Sequence, residues 1–98
     1  MLKIIQGDVF EFSVCFGNVP LFAIQKVEFA SKDLGVFQAA ELYKGQYSVR
    51  IEGERTKCFS PGFARYDLTL TLVDGQKLTV CRNERIEVLE KVNEVKNE

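Results

Sequence analysis

The side chains that could do chemistry are few and scattered. The 98 residues include no histidine, which removes the usual Ser-His and Cys-His nucleophilic pairs and the imidazole ligands of most zinc sites. Cys15, Cys58 and Cys81 are odd in number and far apart, with no Cys-x-x-Cys pair. They read first as free thiols of a reducing compartment, and second as a single Cys15–Cys81 bridge with one spare thiol. The carboxylates best placed to be weighed as general acids or bases are Asp8, Glu11, Asp67 and Asp74. Each has a plainer role: Asp8 and Glu11 flank the start of an alternating segment, Asp67 falls on an outward position, and Asp74 precedes Gly75 in a turn. Gly45, Gly53 and Gly62 are dispersed and form no phosphate-cradling loop. The sequence reads as non-enzymatic, with no catalytic residue, metal set or cofactor implied.

Binding chemistry has more material. Arg50, Arg55, Lys57 and Arg65 gather around one polar stretch, where they could meet phosphate or an acidic partner. Glu52 and Glu54 interleave with them, so a solvated loop is the first reading. Phe22, Phe37 and Phe59 fall in or beside turns, where an exposed aromatic could dock into a neighbouring protein or stack on a sugar ring; two of the three are expected to tuck under the ends of the fold. The charge balance of 13 Lys+Arg against 14 Asp+Glu gives a net charge of −1. That field offers no general attraction for nucleic acid or anionic membrane.

The elements that must hold these residues are short strands. Tyr66, Leu68, Leu70 and Leu72 alternate with Asp67, Thr69 and Thr71, Asp74-Gly75 supplies a tight turn, and the return through Cys81 is expected to point Leu78 and Val80 inward. Arg82-Asn83-Glu84 reads as a further turn before a last strand carrying Ile86 and Val88. Upstream, Leu2–Ile5 reads as an edge strand, and Phe10, Phe12, Val14 and Phe16 form the apolar face of a second strand that Gly17-Asn18-Val19-Pro20 ends. A third strand lies within Leu21–Ala30 around Val27 and Phe29, and a fourth carries Tyr47, Val49 and Ile51. Val36–Tyr43 fits a helical turn and a short strand equally, and Gly53–Ser60 reads as a loop. Residues 1–91 thus form one domain, and 92–98 a charged tail whose default is flexibility, the Glu87/Lys91 spacing allowing a short helix. Met1–Ile5 is too short for the apolar region of a signal peptide and no stretch could span a bilayer, which predicts a product that is cytoplasmic when made.

About seven short strands with regular turn signals and no long helix predict an all-β, antiparallel, immunoglobulin-like β-sandwich, with a small β-barrel as the rival. Gly62 and Tyr66 ahead of the hairpin resemble a tyrosine corner, in which the hydroxyl bonds back to upstream backbone. Ile5-Gln6-Gly7-Asp8-Val9-Phe10-Glu11-Phe12, the turn at Pro20, Gly45-Gln46-Tyr47, and Tyr66-Asp67-Leu68-Thr69-Leu70 followed by Asp74-Gly75 together resemble the small β-sandwich modules of phage and prophage tail or baseplate proteins. The resemblance spans nearly the whole chain. It implies a phage-derived virion or tail assembly protein that joins partners or copies of itself, is built into a particle, and carries no catalytic residues. A carbohydrate-binding module is the alternative. For either, Phe22, Phe37 and Phe59 with Arg55 and Lys57 are the expected contact residues, a protein or a glycan the expected partner.

Overall fold

In the computed structural model, residues 1–91 are described, so the expected tail at 92–98 lies outside the described residues. Eight strands form two sheets. In chain order they are β1 (Leu2–Ile5), β2 (Phe10–Val14), β3 (Ile24–Ser31), β4 (Val36–Ala39), β5 (Glu41–Tyr43), β6 (Gln46–Ile51), β7 (Gly62–Leu72) and β8 (Lys77–Leu89), with a four-residue helix α1 (Gly53–Thr56) before β7. One sheet has the order β1-β8-β7-β3-β4 and the other β2-β6-β5. Two separately hydrogen-bonded sheets make an immunoglobulin-like sandwich and exclude the closed barrel. Every pairing is antiparallel except β1 with β8, which runs parallel from Leu2 opposite Ile86 to Ile5 opposite Leu89.

The stretch that fitted both helix and strand is resolved by a change of sheet. Val36–Ala39 pairs with β3, Glu41–Tyr43 pairs with β6, and between them the Ala40 amide donates to the Val27 carbonyl at 2.8 Å. Each piece is too short to show a period, so the sequence looked mixed. Before β3, Leu21–Ala23 is a 3₁₀ turn, which delays the strand to Ile24.

Between the sheets sits an aromatic cluster. Phe12 meets Phe29 edge-on at 6.0 Å, Phe29 stacks on Tyr66 at 5.3 Å, and Phe12 lies 6.3 Å from Tyr66. These rings occupy the middle of the sandwich, flanked by Val27, Val49, Leu68, Leu70, Ile86 and Val88, all buried. Tyr66 is therefore a core aromatic. Among the described residues its hydroxyl makes no bond to backbone, so the expected tyrosine corner is not formed. Burial, then the nearby Cys81 and Glu84, push its phenol above the ordinary value.

The return strand departs most from expectation. β8 does not turn at Arg82-Asn83-Glu84 but runs on through it, carrying two more residues than β7 over the paired length. The register slips between Tyr66 and Leu68 and again between Leu68 and Thr69, each time placing an extra β8 residue in a bulge. Asn83 takes the left-handed φ of +53° there, and its amide is held by Asp67 Oδ1 at 2.8 Å. The asparagine signal that reads as a turn in sequence serves a bulge instead, since both need positive φ. The slips bring Cys81 opposite Leu68 and Leu78 opposite Leu70, while Val80 becomes the extra residue. Leu78 shares the face of the buried Leu70, yet it and Val80 stay 38% and 44% exposed, so the burial expected of them is not reached.

Candidate functional site

The polar groups are mostly engaged in structure. Asp8 pairs with Lys91 at 2.8 Å, Glu11 and Glu52 both meet Arg50, Asp33 accepts the Arg65 amide at 2.9 Å, and Asp74 accepts the Gln76 amide at 2.9 Å inside its turn. No group of three or more His, Cys, Asp or Glu able to hold a metal ion occurs among the described residues. Cys15, Cys58 and Cys81 are free thiols, so the alternative Cys15–Cys81 bridge is absent. Burial, reinforced by Glu84, raises the Cys81 thiol above its ordinary value and keeps it protonated, the opposite of what a nucleophile needs. No helix of the described residues is long and apolar enough to cross a membrane.

One end of the sandwich is a staple. Thr56, fully buried on α1, accepts a hydrogen bond from the Gly7 amide at 3.0 Å and donates one to the Asp8 carbonyl at 2.8 Å. Gln6 Nε2 donates to the Phe59 carbonyl at 2.6 Å. Gly53 packs so closely on Gly7 that a Cβ there would run into the Gly7 carbonyl. The supposed loop 53–60 is thus pinned to the turn between β1 and β2, and Phe59 is pulled into the core at 6% exposure. Phe59 is corrected from contact residue to core residue: its ring has no face to offer. Nothing in the sequence flagged Thr56 or Gln6, because their partners are backbone atoms about fifty positions away.

The other predicted contact residues are exposed but dispersed. Arg55 Nη2 donates to the Gly35 carbonyl at 2.6 Å, which sets it near the start of β4 and hence near the exposed Phe37. Lys57 pairs with Glu54 at 3.4 Å. Phe22, the most exposed of the large apolar side chains among the described residues at 86%, precedes β3, whereas Phe37 lies opposite Ala30 near its far end. At about 3.3 Å per residue the two rings sit about 20 Å apart along the sheet. The three phenylalanines therefore make no common platform. Of the basic set, Arg50 is held in its ion pairs and Arg65 faces Arg85 across β7 and β8, so the cluster disperses as well.

What the structure does bring together is the free arm of the β7–β8 hairpin. The Val73 amide donates to the Ala23 carbonyl at 2.9 Å, which joins the hairpin tip to the 3₁₀ turn bearing Leu21 and Phe22. Leu21, Phe22, Val73, Leu78 and Val80 are all exposed at this end. β1 covers the outer side of β8 only from Ile86 to Leu89, and among the described residues no strand covers 77–85. The arm's other face is basic: Lys77 and Thr79 lie opposite Thr71 and Thr69, and Arg85 stacks on Phe63 at 4.3 Å beside Arg65.

No family model matches the sequence, and no curated protein matches it either. Among solved structures, the chain is similar to one described as fibronectin(III)-like modules of Clostridium thermocellum CbhA, at 16% identity and a TM-score of 0.63 over 94% of this chain and 88% of that one. That likeness, together with the two-sheet topology, shows the fold: the chain is an all-β sandwich of the immunoglobulin-like, fibronectin(III)-like kind.

Proposed function

We propose that the chain is a non-catalytic structural or binding module that works through protein–protein contacts, in the setting of a phage-derived virion or tail assembly. The observation that carries this reading is the β7–β8 arm, where exposed apolar side chains and an unpaired strand edge coincide. In the furrow lined by Asp33, Arg65, Asp67 and Asn83 both carboxylates are already engaged, Asp33 by the Arg65 amide and Asp67 by the Asn83 amide. The tail setting is supported by the motifs from Gly7-Asp8 to Asp74-Gly75, and in it the protein is made in the cytoplasm and built into a particle.

The test combines light scattering over a tenfold concentration range with thermal melts in the presence of soluble glycans. A complex of defined mass, with itself or with the co-expressed product of a neighbouring reading frame, supports the reading. Stabilisation by a glycan with no protein complex overturns it in favour of a carbohydrate-binding module. Tail genes on either side support the phage setting, and their absence removes it.

A further inference from the structure

The open edge of β8 presents two different faces to anything that pairs with it. Toward the core side lie Leu78, opposite the buried Leu70, and the half-buried Cys81 opposite Leu68, with the bulged Val80 between them. Toward the outer side lie Lys77, Thr79 and Arg85, the last beside Arg65. Over residues 77–85 the cations are Lys77, Arg82 and Arg85 against the single anion Glu84. Every residue of this stretch is exposed except the half-buried Cys81, and among the described residues no strand pairs with its free edge.

A strand added beside β8 would continue the line of β1, which stops opposite Ile86. Side chains of an added strand alternate between faces. Its core-side residues would therefore meet Leu78, Val80 and Cys81 and are best satisfied by β-branched or other apolar groups. Its outer residues would meet Lys77 and Arg85 and are best satisfied by carboxylates. We infer that the β8 edge over 77–85 is a docking site for an extended partner segment in which acidic and apolar residues alternate, added to the sheet as a further strand. This inference rests on the protein-binding reading above and names the partner's chemistry.

A second copy of the chain suits the edge less well. Antiparallel self-pairing would bring the cationic edges of two copies together, and like charges across a ladder destabilise it. Basic residues and bulges on an edge are devices that suppress self-pairing, yet the same cations attract an acidic strand.

The test uses the full chain and two synthetic nine-residue peptides, one alternating Val and Glu, the other alternating Val and Lys. Titration followed by amide chemical shifts is expected to move residues 77–85 with the Val/Glu peptide, which binds about tenfold tighter than the Val/Lys peptide. In Lys77→Glu the preference shrinks, and in Lys77→Glu with Arg85→Glu it inverts. Because Arg85 also packs on Phe63, the single Lys77 variant keeps the test valid if the double variant misfolds. Equal affinity for the two peptides, shifts that map elsewhere, no binding at about 1 mM, or a homodimer whose protected amides are those of 77–85 each overturns the inference. Light scattering on the same preparations separates the two levels. A protein complex that forms without peptide binding removes the edge site alone, whereas neither complex nor peptide binding removes the module reading as well.

Discussion

Replacing Thr56 by valine tests whether the pinned end of the sandwich is held by one hydroxyl. Valine matches threonine in shape, so Thr56→Val leaves no cavity at this fully buried position and changes only polarity. The variant loses the bond accepted from the Gly7 amide at 3.0 Å and the bond donated to the Asp8 carbonyl at 2.8 Å. Each bond contributes about 0.5–1.5 kcal/mol, and a backbone group left unpaired away from water costs about 1–3 kcal/mol. Because Gly7 is exposed and water can replace the lost hydroxyl there, while Asp8 is half-buried, the sum is about 2–3 kcal/mol. With an unfolding entropy of about 2.1 cal/mol/K per residue, a chain of this length loses about 5 °C in Tm per kcal/mol, so the expected fall is about 10–15 °C. Circular-dichroism melts measure it. Thr56→Ser keeps the hydroxyl and gives up one methyl, about 1 kcal/mol, so it should fall by only about 5 °C. A Thr56→Val melt within about 2 °C of the parent, or a serine variant less stable than the valine one, would refute the staple.

Four further outcomes follow from the same structure. Gly53→Ala should destabilise by about 1–3 kcal/mol, since its Cβ meets the Gly7 carbonyl and backbone cannot step aside as a side chain would; chemical denaturation reads this as a lower midpoint. Thr71→Val should be neutral or up to about 1 kcal/mol stabilising in the same assay, because the buried Thr71 hydroxyl has no hydrogen-bond partner to lose. Burial holds both the Cys81 thiol and the Tyr66 phenol protonated above their ordinary values. The folded state thus keeps protons that the unfolded chain has already released, and stability must fall as pH rises from about 9, the ordinary thiol value, upward. Melts between pH 7 and pH 10 measure the slope, and Cys81→Ala should flatten its first part. At pH 8 a thiol reagent should also label the exposed Cys15 and Cys58 before Cys81.

The sandwich was legible where a period of two runs uninterrupted, and illegible where the chain breaks that period to do something else. Tyr66, Leu68 and Leu70 point inward as their alternation requires, and Val27 with Phe29 and Val49 with Ile51 repeat the pattern in neighbouring strands. Each of these reports local backbone geometry. Leu78 and Val80 carry the same signal and yet remain exposed, because their burial depends on what lies beside β8 and not on β8 itself. β1 pairs with β8 only from Ile86 to Leu89, and among the described residues nothing closes the edge before it. Asn83 shows the same dependence, since positive φ in one residue serves a hairpin turn or a bulge alike and only the length of the opposing strand decides which. Among the expected contact residues, Phe59 is buried for a related reason. Its neighbours in sequence are polar, but the Gln6 and Thr56 hydrogen bonds that hold 53–59 against the core reach across about fifty positions to the turn between β1 and β2. What periodicity cannot state is where one strand outruns another, and on this chain that overhang is where apolar surface, open backbone and positive charge meet.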